Sequence, residues 1–409
     1  MRYKRKNLNK FSLIGILFIT AFLTLGISKN TEEEKIHSNV IIENINVGKI
    51  TRKQALEKLN KTYQIKNFKL IFNDRIWDIN PKNIELDYHI EESINKAFYY
   101  TRSNSTWENI KRKANLRLKP YNAKLKATYS ESKLSEELNK IIDEINVDAI
   151  DATFKVELSG EIKRTKSKIG KQVDSSRLKE EIYDMINSKK IKNITLSVID
   201  LMPTISTEDV ESIKTVLGQF STSFNNHTSR GSNIHVAGET TSDILLMPGE
   251  MFSYNKTTGA RTWNNGYKSA PVIIGGKVVN GEGGGVCQVS TTIYNAALLS
   301  GLKIDEVHNH TIPSRYAPRG RDASVSYGYT DLKFTNPFSH PIYIKNIVGN
   351  GAITSKIYGC GSDREKLIIK LEEEFIKDKI IVQTYRIYLD EENNIMKKEL
   401  ISTSKYNLK

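Results

Sequence analysis

Three consecutive glycines, Gly283-Gly284-Gly285, run directly into Val286-Cys287-Gln288-Val289-Ser290, and from there the chain turns strongly helical. No other stretch constrains the fold as tightly. Glycine adopts backbone conformations closed to other residues and lets neighbouring atoms come close to the main chain. A helix that begins here directs its unpaired N–H groups and the positive end of its dipole at the cysteine. That placement lowers a thiol pKa and yields a thiolate nucleophile. Val289, Ile293, Ala296 and Ala297 fall on one helical face, so the helix is expected to pack on a core. Gly285, Val286 and Gln288 then frame the entry to the helix, where their backbone N–H groups could form an oxyanion hole. The plain alternative is a glycine turn followed by a buried, inert cysteine.

Cysteine chemistry needs a base, and His308-Asn309-His310 follows. On a strand two histidines two apart face the same side. Either could take the thiol proton while the other orients substrate; His310 adjoins the turn at Pro313. A His-x-His pair with a cysteine could also hold zinc, but a fourth ligand at suitable spacing is missing, so no metal and no cofactor are expected. Arg319, Arg321 and Asp322 follow a proline turn. Arg321, with Arg319 beside it, could clamp a substrate carboxylate. Asp322 could orient a histidine as the third member of a triad. A structural Arg–Asp pair accounts for the same residues. Tyr267, Arg315 and Tyr329 are weaker candidates for a cavity wall. The second cysteine, Cys360, reads as an incidental thiol, because pairing it with Cys287 would consume the nucleophile.

The compartment follows from the N-terminus. Arg2, Lys4, Arg5, Lys6 and Lys10 precede Phe11–Ser28, which carries no charge, and Glu32, Glu33 and Glu34 come after it. A helix over that stretch spans about 27 Å, close to the thickness of a bilayer core. Positive charge before the span predicts a cytoplasmic stub and a body outside the cell membrane. A cleaved leader would show a small-x-small site, and none is clear after Ile27. The 409 residues suffice for two or three domains, and 61 Lys+Arg against 47 Asp+Glu leave a net charge of +14. That balance suits an anionic partner such as nucleic acid, a membrane surface or cell-wall polymer. No nucleic-acid module, Walker loop or dinucleotide fingerprint occurs, so no nucleic acid is expected among the partners.

Along the body, residues 29–39 read as a tether, and 40–203 as two similar units, about 40–100 and 122–203. The first opens with a capping box at Thr51-Arg52-Lys53-Gln54. Phe68–Phe72 and Arg75–Ile79 alternate about a turn at Asn73-Asp74, as a hairpin does, and a helix follows near Ile90–Tyr99. In the second unit Leu134, Leu138, Ile141 and Ile145 mark a helix, Phe154–Leu158 and Glu161–Lys163 a hairpin, and Leu178, Ile182 and Ile186 another helix. The polar linker between the units carries Trp107, which is expected to pack in a core rather than stack on a sugar. A further domain spans 204–362, and a short helix is expected at its entry within Thr204–Gln219. A tail over 363–409 alternates as a β-hairpin with a turn at Glu392-Asn393-Asn394.

The region from Phe224 to Gly359 resembles a VanW domain. Pro248-Gly249-Glu250-Met251-Phe252-Ser253, Gly266-Tyr267-Lys268-Ser269-Ala270-Pro271-Val272-Ile273 and the Gly-Gly-Gly-Val-Cys-Gln-Val-Ser run carry the likeness. His308-Asn309-His310, Gly320-Arg321-Asp322-Ala323 and Asp331-Leu332-Lys333-Phe334 complete it. The repeats before it resemble, more loosely, the peptidoglycan-binding repeats that often precede VanW domains. The implied fold class is α+β: an N-terminal membrane anchor, two α+β repeat units, then a mixed α+β VanW-like catalytic domain with a β-hairpin tail. Some clostridial members act as L,D-transpeptidases with a catalytic cysteine. The resemblance thus implies an enzyme that forms 3→3 cross-links between peptidoglycan stem peptides through a Cys287 thioester. The alternatives are a cysteine L,D-carboxypeptidase or endopeptidase on the same stems, and a non-catalytic wall-binding protein linked to glycopeptide resistance.

Overall fold

A computed structural model describes residues 34–274, 277–364, 368–376 and 380–407. The segment Phe11–Ser28 expected as an anchor lies outside them. Among the described residues no helix is long and apolar enough to cross a membrane. The fold is mixed α+β, in two compact units. One takes the chain up to Val147 together with Lys171–Asp200; the other takes Asp148–Gly170 and Leu201–Lys409.

In the first unit the capping box forms: the Gln54 N–H donates to Thr51 Oγ1, and Gln54 Oε1 accepts the Thr51 N–H, starting the helix Arg52–Thr62. The strands Phe68–Phe72 and Arg75–Ile79 pair antiparallel as the alternation predicts, with Asn73 left-handed at the turn. Packing, however, does not follow the two expected repeats. Phe68 and Leu70 share a core with Leu134, Leu138, Ile141, Leu178 and Ile182, and Ile194–Thr195 joins the first hairpin as a parallel strand. The polar linker contains a helix, Thr106–Leu118, that buries only Leu116. Trp107 is therefore 74% exposed, not the packed residue expected.

The hairpin Thr153–Val156 and Ile162–Thr165 belongs to the second unit, although the sequence reading assigns it to the repeats. Its inner face carries Phe154 and Val156, which pack on Val210, Ile213, Tyr343 and Tyr358. Arg164 fastens it by donating to the carbonyls of Val210 at 3.0 Å and Ile213 at 2.5 Å. The short helix expected after residue 204 forms at Thr207–Ser212, with a capping box between Ser206 and Asp209.

The centre of the second unit is an antiparallel sheet in the order Thr215–Ser223, Ala352–Gly359, Ile342–Gly349, Ile244–Leu246. The helix Val286–Ser300 packs against it through Val289, Ile293, Ala296 and Ala297, among Leu217, Ile344, Ile353 and Ile357. A second small sheet joins Met251–Ser253, Lys333–Thr335 and Lys303–Glu306. The tail is a three-stranded antiparallel sheet, Ile368–Ile376, Ile381–Leu389 and Ile395–Lys405, not a hairpin. Its last strand escaped prediction because IMKKELISTSK lacks a clean apolar alternation; five of its first six residues are exposed, Glu399 being the exception. The tail is also no appendage. Arg386 Nη1 donates to the Leu302 carbonyl at 2.7 Å, and Thr384 Oγ1 donates to that of Gly320 at 2.9 Å.

Candidate active site

The glycine run does what its composition implies. Gly285 caps the helix Val286–Ser300 with φ 112°, a conformation that L side chains rarely adopt. At Gly284 a Cβ would lie 2.7 Å from the carbonyl oxygens of Ala270 and Pro271, so only glycine lets the two segments meet. The buried Asn233 Nδ2 donates to the carbonyls of Gly284 and Lys268, both at 2.9 Å, and fixes the turn. Cys287 therefore lies in the first turn of a long buried helix, with the dipole's positive end beside it.

The polar residues of that helix have a second task. Ser290 Oγ donates to the Ala323 carbonyl at 2.7 Å, Thr291 Oγ1 accepts the Ala323 N–H at 2.9 Å, and Asn295 Nδ2 donates to the Arg321 carbonyl at 2.8 Å. These bonds hold segment 321–325 along the helix. The Val325 N–H consequently points at Cys287 Sγ, 3.5 Å away, and Asp322 is fixed one turn further along. Asp322 Oδ2 accepts both the backbone N–H of His310, at 2.7 Å, and its Nδ1, at 2.6 Å. Asp322 Oδ1 accepts the Tyr406 hydroxyl, whose oxygen in turn accepts the Gly320 N–H at 2.6 Å. The His310 side chain lines the same cleft as Cys287, close enough for each to shift the other's titration. With Nδ1 on Asp322, Nε2 is the nitrogen left for the sulfur.

The electrostatics favour a thiolate–imidazolium pair. Burial pushes the Cys287 thiol up, but the hydrogen bond and charge of His310, the Val325 N–H and the Arg261 charge together hold it below the ordinary thiol value. Burial pushes His310 down, yet the hydrogen bonds to Asp322 and Cys287 and their charges raise it to about 10. Tyr316, in the same cleft, is raised by burial and by the charges of Cys287 and Asp322, so its hydroxyl stays protonated and available as a donor.

Of the residues singled out in the sequence, Cys287, His310 and Asp322 thus come together, and Gly285, Val286 and Gln288 line the cleft beside them. The others diverge. His308 turns away, with Nε2 3.0 Å from Glu306 Oε1, and does not line the cleft. Arg321 is not a cleft residue either: its Nε lies 2.6 Å from Glu373 Oε1 in an ion pair with the tail sheet. Arg319 is likewise absent from the cleft wall. The Gln288 side chain is buried and donates to Thr222 Oγ1 and the Ser223 carbonyl, a packing role. Tyr267 is buried in the core, Tyr329 is 89% exposed, and Arg315 is exposed. The expected oxyanion donors narrow too. The N–H groups of Val286 and Gln288 are bonded to Gly283 and Gly285, whereas that of Cys287 has no acceptor among the described residues.

Sequence reasoning missed Arg230, Arg261, Tyr316 and Tyr327, which line the same cleft, and Tyr406, which supports Asp322. None stands in a motif. Both cysteines are free, as expected. The zinc alternative loses His308 to Glu306. Among the described residues the group that could hold a metal is His340, Cys360 and Asp363, which is separate from the triad.

The signature of the VanW-like protein family matches residues 229–358, and that of a peptidoglycan binding domain matches residues 77–195. The chain is 35% identical over 193 residues to the uncharacterized protein YoaR of Bacillus subtilis, covering 47% of this chain and 64% of that one. It is 30% identical over 109 residues to the vancomycin B-type resistance protein VanW of Enterococcus faecalis, covering 25% of this chain and 40% of that one. The chain therefore spans less than two thirds of either relative. No solved structure matches it. Within the VanW-like match, Cys287 and His310 line one cleft and the buried Asp322 bonds His310, while the peptidoglycan binding domain match precedes it in the sequence. Residues 229–358 are thus similar to the VanW-like protein family.

Proposed function

We propose that this chain is a cell-wall L,D-transpeptidase, held outside the cytoplasmic membrane by Phe11–Ser28 and acting on peptidoglycan stem peptides. The observation that carries the reading is the single line of contacts from Cys287 through His310 to Asp322, set at a helix start in an open cleft. In that arrangement Cys287 Sγ attacks the carbonyl carbon of the third stem residue. The carbonyl oxygen takes up negative charge against the free Cys287 N–H and the helix dipole. Imidazolium Nε2 of His310 gives its proton to the leaving nitrogen, the C–N bond breaks, and D-Ala departs from a thioester. An amine of a neighbouring stem then attacks the thioester carbon, and His310 takes up the proton that amine loses. The C–S bond breaks and a 3→3 amide remains, with thiolate and imidazolium restored. Asp322 orients the imidazole and stabilises its charge throughout.

Hydrolysis uses the same thioester with water in place of the amine. Mass spectrometry of a tetrapeptide reaction separates the two: loss of D-Ala with a cross-linked dimer marks transpeptidation, and loss of D-Ala alone marks a carboxypeptidase. Cys287→Ala should give neither product while keeping the fold, because alanine suits the same backbone and removes only sulfur. Full activity in a folded Cys287→Ala protein would refute covalent catalysis and leave the non-catalytic wall-binding reading.

A further inference from the structure

Two arginines that hydrogen-bond none of Cys287, His310 and Asp322 line the Cys287 cleft, Arg230 and Arg261. Arg261 is partly buried, and its Nη2 donates to Asn255 Oδ1 at 2.6 Å. Its Nε and Nη1 are buried without any hydrogen-bond partner. Buried donors are costly to leave unpaired, so this guanidinium stands at the cleft wall with hydrogen-bonding capacity that no described protein group uses. The guanidinium is held in place by the rings of Tyr254, at 5.4 Å, and Tyr327, at 5.7 Å. Gly283 makes room for it, since a Cβ there would lie 2.8 Å from Arg261 Cβ. Arg230 lies over Tyr316 at 5.9 Å, and neither arginine forms an ion pair among the described residues. The acid of this cleft, Glu282, is exposed.

We propose that Arg261, assisted by Arg230, forms a carboxylate-binding subsite beside Cys287 that receives the free α-carboxylate of the residue expelled in acyl transfer. The subsite itself stands on the geometry, while the identity of the carboxylate rests on the transpeptidase reading. In a peptide, that carboxylate is joined to the reacting carbonyl carbon through one nitrogen and one α-carbon. A cation that lines the wall around the attacking sulfur is thus within reach of it. Planar guanidinium donors match a carboxylate in geometry as well as charge. Such a subsite makes the protein read a chain end: a donor whose final carboxylate is amidated or extended lacks the charge Arg261 requires.

The test has two arms on the full-length chain. The first alkylates Cys287 with iodoacetate or iodoacetamide, followed on the Cys287 peptide by mass spectrometry. The ratio of the two rates cancels any change in thiolate population and reports anion binding alone. The wild type should prefer iodoacetate, and Arg261→Gln should lower that preference by about one to two orders of magnitude. Arg261→Lys should keep part of it. Acetate should also protect the wild-type thiol from iodoacetamide, a readout that needs no variant to fold. Equal ratios in wild type and a folded Arg261→Gln, or no protection by acetate, overturn the subsite. The second arm compares donor tetrapeptides ending in a free carboxylate or a carboxamide. Wild type should lose kcat/KM on the carboxamide, and Arg261→Gln should treat the two nearly alike. Anion preference without turnover of either peptide keeps the subsite and overturns the transpeptidase reading. Turnover that ignores the carboxamide overturns the assignment to the leaving residue.

Discussion

Replacing Asp322 with asparagine should uncouple the cysteine from its base without unfolding the protein. The side chain is 1% exposed, and the amide fills the same volume. One oxygen, Oδ2, accepts two N–H groups of His310, at 2.6 and 2.7 Å, while Oδ1 accepts the Tyr406 hydroxyl. An amide can supply an oxygen at only one of these positions. With its oxygen toward His310 it keeps the imidazole roughly in place but removes the negative charge that helps raise His310 to about 10. A hydrogen bond to a charged group is worth about 1.5–3 kcal/mol, so the thiolate–imidazolium pair should lose roughly one to two pKa units of support. The apparent thiol pKa should therefore rise by that amount, seen in the pH dependence of thiolate absorbance or of alkylation by a neutral reagent. Turnover should fall by about 10²- to 10⁴-fold, the range for losing an effective acid–base group. An Asp322→Asn protein whose thiol titrates and turns over as the wild type does would refute the triad outright.

Other outcomes follow from the same contacts. Tyr406→Phe removes the donor to Asp322 and leaves the Gly320 N–H unpaired; it should cost about 1–3 kcal/mol in stability by thermal melting and reduce turnover less than Asp322→Asn does. Turnover against pH should be bell-shaped. It rises as pH passes through the lowered thiol pKa, where the thiolate forms, and falls as pH rises through about 10, where His310 loses its proton; a falling limb near neutrality would contradict the pairing. Arg321→Ala should lower the melting temperature by breaking the pair with Glu373 while leaving KM for a donor peptide unchanged, whereas a raised KM would return Arg321 to the substrate. Gly284→Ala drives a Cβ to 2.7 Å from two carbonyl oxygens, so expression or melting should suffer severely even though Cys287 is untouched.

Cys287 was legible because its signal is local: glycine conformations and a helix start are written in adjacent residues. Asp322 was legible as the partner of a histidine, but which of His308 and His310 it meets was not. Only the tertiary path of segment 321–325, held by Ser290, Thr291 and Asn295, decides that Asp322 meets His310 and leaves His308 to Glu306. Arg321 misled because adjacency to Asp322 in sequence does not fix where its own side chain goes, which is to Glu373 of the tail sheet. The one trace of Arg261 lay in Gly283, whose missing side chain makes its room. Phe154 and Val156 announced a hairpin with one apolar face, but alternation names a face and not its destination, so the partner sheet at Tyr343 and Tyr358 was invisible.

The reach of Tyr406 across to Asp322 changes where this domain can be cut. The family signature ends at residue 358, and a recombinant fragment trimmed there would retain Cys287, His310 and Asp322. It would also strip the cover from the buried Gly320 and Asp322, leave Asp322 Oδ1 and the Gly320 N–H without their shared hydroxyl, and free Arg321 from Glu373. Domain swaps made at that border would thus transplant Cys287 without the strut that holds Asp322 against His310. Inactivity in such a chimera would report the missing strut, not the wrong chemistry.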